Sequence, residues 1–196
     1  MDLPQQVIEL GDLTLRRFDR EADVAELARV IEESLEHLRP WMVFVAGHSR
    51  GDTTEFLGRR HEAWESGREF TYAIVLSGAI VGACQLFLRE GGPENGRELG
   101  YWLHPAATGR GVVTRAVRAL VDQAFRFPGV DYVEVVHDPA NRASGAVPAR
   151  LGFHELLRRP AERRSTAGTG EEQVWRLTRE QADHPDQTDQ AASEAR

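Results

Sequence analysis

Thr108-Gly109-Arg110-Gly111-Val112-Val113-Thr114 is the stretch on which the fold turns, because it joins a strand-like run ending at Leu103 to an amphipathic, arginine-bearing helical pattern that reaches about Phe127. Glycines at 109 and 111 let the backbone approach a ligand closely. The amides of the first helical turn have no partners inside the helix and point outward as donors for phosphate oxygens. Thr114 adds a hydroxyl, and Arg110 and Arg115 add positive charge beside such an anion. The same pattern also describes an ordinary tight strand-to-helix turn. It is not the dinucleotide fingerprint, because Thr114 stands where a third glycine belongs and the loop follows a meander instead of opening a βαβ unit.

Upstream, Leu13 to Phe18 alternates like a half-buried strand. Asp19 offers a cap to a helix whose apolar positions Val24, Leu27, Ala28, Ile31, Leu35 and Leu38 recur every three or four residues. Pro40 closes that helix. Asp52 with Glu55 reads as a capping box for a second helix, which Gly67 ends. Phe70 to Leu76 and Ala79 to Leu88 then read as a hairpin turning at Ser77-Gly78, and Arg97 to Leu103 as the next strand. Downstream of the loop the pattern alternates: a strand at Val130 to His137, a helix at Asn141 to Leu151 with Pro148 expected to loosen its second half, and strands at Phe153 to Leu157 and Gln173 to Thr178. An antiparallel first half and an alternating second half predict an α/β chain with a mixed sheet and helices packed on it. One domain is expected over 1–178, followed by a tail, 179–196, too poor in large apolar residues to order itself.

Composition narrows the chemistry. The chain has 196 residues and a net charge of −7, which suits one domain with a real core and argues against nucleic acid as partner. All 24 basic residues are arginine, so no lysine is present for a Schiff base or a Gly-Lys-Ser/Thr nucleotide loop. Cys84 is the sole cysteine and sits in an apolar run, where a buried inert thiol is the favoured reading over a nucleophile. The seven histidines show no spacing that suggests a metal site. With no leader pattern and no long apolar run, a soluble cytoplasmic protein without a membrane partner is expected.

A second cluster, Asn141 to Phe153, reads alone as a capped helix in which Asn141 bonds the first turn and Ser144 lies one turn on. Taken with Leu99-Gly100-Tyr101-Trp102-Leu103, the loop from Thr108 to Thr114, and Leu151-Gly152-Phe153, it gives the sequence a resemblance to the GNAT superfamily of N-acetyltransferases. The likeness is to the RimJ/RimL type, which acetylates protein N-terminal amines, and it spans Leu13 to Thr178; Leu38-Arg39-Pro40-Trp41 also resembles that subgroup. The superfamily's loop is written Gln/Arg-x-x-Gly-x-Gly/Ala. Here Gly111 matches, while Thr108 and Val113 depart from the first and last positions.

The resemblance implies the GNAT fold, an α/β fold of the α+β type with a mixed, mostly antiparallel central sheet and helices on both faces, and acetyl transfer from acetyl-CoA to a primary amine, of a protein N-terminus or a small molecule, by direct attack. It places the cofactor's diphosphate on Gly109, Arg110, Gly111, Val112, Val113 and Thr114, its pantetheine along Trp102 and Leu103, and Asn141 beside it. Ser144 is implied as the acid that protonates the departing thiolate. Deprotonating the amine needs a base. Glu98 is the first candidate, because it shares a strand face with Gly100 and Trp102; the plain alternative is an edge carboxylate paired with Arg97 or another arginine. Glu162 is a second candidate by its place after the Gly-Phe motif, and His137 and His104 are weaker ones. Trp41, Met42 and Phe44 fall where the resemblance puts the acceptor cleft. A CoA-binding regulatory module without turnover is the alternative function. Dimers are common in this subgroup, but no interface is legible in the sequence.

Overall fold

The structure is a computed structural model that describes residues 3–45, 47–163 and 165–184. Its elements in chain order are β1 (Val7–Leu10), β2 (Leu13–Arg17), α1 (Val24–Glu33), α2 (Leu35–Leu38), α3 (Arg50–Glu65), β3 (Glu69–Leu76), β4 (Ala79–Phe87), β5 (Gly96–Leu103), α4 (Val112–Ala124), β6 (Tyr132–His137), α5 (Arg142–Arg150), β7 (His154–Pro160), β8 (Glu171–Thr178) and α6 (Arg179–Asp183). The strands form one sheet in the order β1-β2-β3-β4-β5-β6-β8-β7. Every pairing is antiparallel except β5 with β6.

The sheet's alternation sorts its side chains into two cores. Leu13, Leu15, Tyr72, Ile74, Leu86, Leu99 and Val135 face α4 and α5, meeting Ala116, Val117, Leu120 and Val147. Ala73, Ile80 and Ala83 face α1 and α3, meeting Leu27, Ile31 and Leu57. The helices therefore cover both faces, as the family resemblance implies.

Several boundaries differ from the sequence reading. β1 was not anticipated: it pairs with β2 at the sheet edge and carries only a short alternating signal. The box that opens α3 is Ser49 with Asp52, not Asp52 with Glu55. Ser49 is extended (φ −132°, ψ 165°), the Asp52 amide donates to its hydroxyl at 3.3 Å, and its own amide donates to the Asp52 carboxylate at 2.7 Å. α5 continues through Pro148 to Arg150.

The segment expected to be a structureless tail begins instead with α6. A Thr178/Gln181 capping box starts that helix, and the Arg179 guanidinium donates to the carbonyls of Phe125, Phe127 and Val130. Those carbonyls close α4 and lead into β6, so one arginine satisfies acceptors that a helix end leaves bare. The remainder of that expectation, 185–196, lies outside the described residues.

Candidate active site

The parallel pairing of β5 with β6 lasts four rungs, from Gly96↔Tyr132 to Leu99↔Val135. Beyond it β5 stays with β4 as far as Leu103↔Gly82, and β6 stays with β8 as far as His137↔Gln173. The two strands thus part at Gly100, opening a fork in the middle of the sheet. β4 bulges beside it, where the register against β3 shifts between Ile74 and Val75. There a Cβ on Gly82 would stand 2.2 Å from the Trp102 carbonyl oxygen, so the close approach of β4 to β5 requires glycine.

Beyond β5 the chain turns through a short 3-10 segment, Pro105–Ala107, into the glycine loop. Gly111 caps α4 in the left-handed conformation (φ +71°) and offers no side chain to its amides. The Thr108 amide bonds Pro105 O at 3.1 Å and the Arg115 amide bonds Gly111 O at 3.1 Å; between them, the amides of residues 109–114 bond no described residue. Six consecutive donors at a helix N-terminus are what an anion needs. Val112 is buried, Val113 and Thr114 are half-buried, and Arg110 is exposed at the loop. Arg115 does not join it: its guanidinium turns to the Leu10 carbonyl and to Asp12 Oδ1 (2.8 Å), tying α4 to the β1–β2 hairpin.

On the α1/α3 face of the fork lies a cavity of about 320 Å³. Ile31, Met42, Phe44, Phe56 and Trp102 supply apolar walls, while Thr71, Gln85 and Gly100 contribute from the sheet. Trp102 stands 6.2 Å from Phe44 between ring centroids. Of the three residues predicted for the acceptor, Met42 and Phe44 line this cavity; Trp41 is half-buried in the turn after α2 and does not. Leu103 points into the main core, so it can meet a ligand only through its backbone.

Glu98 lies one rung before the fork, on the same face as Gly100 and Trp102. Its side chain is 18% exposed, with Oε2 3.7 Å from Arg89 Nη1. Burial raises its pKa to about 7; Glu134 and Glu172 nearby push the same way, against Arg89 and Arg159. The alternative of an arginine partner is met by Arg89 and not by Arg97, which donates to the carbonyls of Glu94 and Gly96. Glu162 stands exposed in the segment after β7, and neither it nor Glu98 is among the residues that line the cavity.

The other face of the fork carries hydroxyls. Asn141 Oδ1 accepts from the Ser144 amide at 3.2 Å, capping α5. The Ser144 hydroxyl reaches Tyr101 Oη at 3.4 Å, and Tyr101 Oη in turn donates to the Ser144 carbonyl at 2.8 Å. Burial lifts the Tyr101 phenol to about 12, so it stays protonated at neutral pH. Sequence reasoning quoted Tyr101 as part of a motif without assigning it a role; its odd position on β5, opposite Ser144, was the available signal.

His137 is already engaged. Its Nδ1 donates to the Asp138 carbonyl at 2.7 Å and its Nε2 accepts from Trp175 Nε1 at 2.9 Å, while burial lowers its pKa and holds the ring neutral. His104 accepts from the Ala106 amide through Nδ1 and faces Glu33 through Nε2 at 3.4 Å. Cys84 is buried, and desolvation pushes its thiol upward, as an inert core residue requires. Among the described residues no group of three or more His, Cys, Asp or Glu side chains is placed to hold a metal ion, and no helix is long and apolar enough to cross a membrane.

A forked sheet with a bare-amide helix start beside it defines a class, and comparison with known proteins gives that class its family. The model of the acetyltransferase (GNAT) domain matches residues 12–154, and the chain belongs to that family. Among curated proteins it is 29% identical over 137 residues to the Bacillus subtilis (strain 168) protein named "Putative ribosomal N-acetyltransferase YdaF", covering 68% of this chain and 73% of that one. Among solved structures, Mycobacterium smegmatis RimJ in complex with a CoA disulfide superposes with a TM-score of 0.81 at 24% identity, covering 97% of this chain and 95% of the other. RimL, a ribosomal L7/L12 alpha-N-protein acetyltransferase in complex with coenzyme A, gives a TM-score of 0.80 at 17% identity, covering 88% and 97%.

Proposed function

We propose that the protein transfers an acetyl group from acetyl-CoA to the α-amine of a peptide or protein N-terminus, by direct attack of the amine on the thioester. The observation that carries this reading is the juxtaposition of six unbonded amides at the start of α4 with the fork at Gly100. The descriptions of YdaF as a ribosomal N-acetyltransferase and of RimL as an alpha-N-protein acetyltransferase support the choice of acceptor. The cradle suits a diphosphate chemically: its donors are backbone amides, which leaves the departures at Thr108 and Val113 secondary. When bound, acetyl-CoA supplies the activated acetyl group.

The chain's residues then divide the work. The amides of 109–114 hold the charged end, with Arg110 beside them. β5 guides the arm to the fork, flanked by Trp102 on one face and by Asn141 on the other. Glu98, with a pKa of about 7, takes a proton from the incoming ammonium, through a water where contact is indirect. The Ser144 hydroxyl, linked to Tyr101, passes a proton to the departing thiolate and regains one from solvent. Acid and base thus sit on opposite faces of the opened sheet.

The test is calorimetry with CoA and acetyl-CoA, followed by thiol release in the presence of N-terminally free peptides. Heat with acetyl-CoA and peptide-dependent release are expected. Heat without release under any acceptor would favour a binding module, and no heat at all would end the reading.

A further inference from the structure

Gln85 is the polar residue of an otherwise apolar run, Ile80 to Leu88, and the structure puts it at the fork. It pairs across the sheet with Gly100 on one side and Thr71 on the other. Its side chain lies over Gly100: an ideal Cβ there would come within 2.8 Å of Gln85 Nε2 and 3.1 Å of Cγ. Glycine at 100 therefore gives this carboxamide its place.

The amide group lines the cavity and makes no hydrogen bond to any described side chain or backbone. Its neighbour does not supply one. Thr71, almost fully buried, donates its hydroxyl to Glu69 Oε1 at 2.7 Å, and Glu69 is held in turn by Arg60. The half-buried carboxamide keeps its access to solvent, so a ligand that enters the cavity meets a donor and an acceptor that no side chain has claimed.

We propose that Gln85 is the positioning residue that reads an α-amino amide in the acceptor; this rests on the acetyl transfer inferred above. Its Oε1 accepts from the attacking nitrogen's N–H, and its Nε2 donates to the carbonyl one carbon away. The two bonds orient the amine's lone pair toward the thioester at Gly100 and leave the second N–H for Glu98. A carboxamide is complementary to this donor-acceptor pair; an alkylamine offers only half of it. The walls of Met42, Phe44, Phe56 and Trp102 take an apolar side chain beside it.

Phenylalaninamide and phenethylamine are the matched probes, since they differ only by the carboxamide on the α-carbon. With the wild-type protein, kcat/KM corrected to the free-base concentration is expected to favour phenylalaninamide. Gln85→Met keeps the length and the packing over Gly100. It is expected to lower kcat/KM for phenylalaninamide by roughly five- to tenfold, part of it in kcat as the loss of orientation requires, with phenethylamine within about twofold on the same scale. Gln85→Glu, which loses the donor, is expected to fall with Gln85→Met. Equal losses on both probes, loss on neither, or a wild-type protein that does not prefer phenylalaninamide would overturn the assignment. Acetyl-CoA calorimetry on the same variants separates the outcomes: heat without discrimination removes Gln85 alone, and no heat in the wild type removes the acetyl-transfer reading.

Discussion

Glu98→Gln gives two readouts of opposite sign. In the folded protein the carboxyl titrates at about 7 in place of 4.5. As pH rises from 4.5 to 7 the unfolded chain releases this proton while the folded one retains it, so ionisation favours unfolding throughout that window. At 1.36 kcal/mol per unit, the wild-type protein forfeits about 3 kcal/mol by pH 8. The side chain is 18% exposed and its contact with Arg89 is long at 3.7 Å, so removing the charge costs little in return. Urea denaturation of both proteins between pH 4 and 8.5 is expected to show the glutamine variant gaining on wild type from about pH 4.5 upward, with the gain levelling above 7. Turnover moves the other way: wild-type kcat/KM rises through pH 7, and the variant is expected to lose roughly 10²- to 10⁴-fold together with that rise. Stability curves that stay parallel across the whole range would refute the burial argument, and a retained pH-rate limb would refute the base.

Three further outcomes are expected. Gly111→Val forces a branched residue to φ +71° and shifts the amide cradle, so CoA affinity measured by calorimetry is expected to fall about tenfold or more; unchanged affinity would dissociate the loop from the cofactor. Ser144→Ala and Tyr101→Phe are each expected to lower kcat with CoA affinity nearly unaltered, and a loss confined to CoA binding would make them binding residues instead. Gly82→Ala drives a Cβ against the Trp102 carbonyl and is expected to destabilise the fold by about 3 kcal/mol in thermal or urea unfolding; a neutral result would mean the bulge relaxes.

The glycine loop, the hairpin at Ser77-Gly78 and the helix at Asn141 were legible because each is written in residues whose backbone preference is local. Both turn residues of that hairpin do have positive φ. The face shared by Glu98, Gly100 and Trp102 follows from the period of two along a strand, whereas the GNAT fold was legible only through the resemblance to a family. What escaped depends on pairing at a distance. Nothing in the spelling of Gln85 says that Gly100 lies opposite, or that Glu69 claims the Thr71 hydroxyl. Arg115 looked like a phosphate ligand until the hairpin carrying Asp12 was placed beside it. α6 was missed because its anchor, Arg179, binds carbonyls some 50 residues earlier in the chain.

The short parallel pairing of β5 with β6 works as a ruler. The anchoring amides begin at Gly109 and the opening lies at Gly100, so the span between them is set by three strand steps of about 3.3 Å each and one fixed turn. On the acetyl transfer proposed above, a carrier would be selected for reach as well as for its charged end. One truncated between the diphosphate and the thioester would hold its anchor yet fall short of the opening, and a longer one would have to buckle. Shifting the last rung by a single residue would move that mark and, since side chains alternate, turn a different set of groups toward the acceptor.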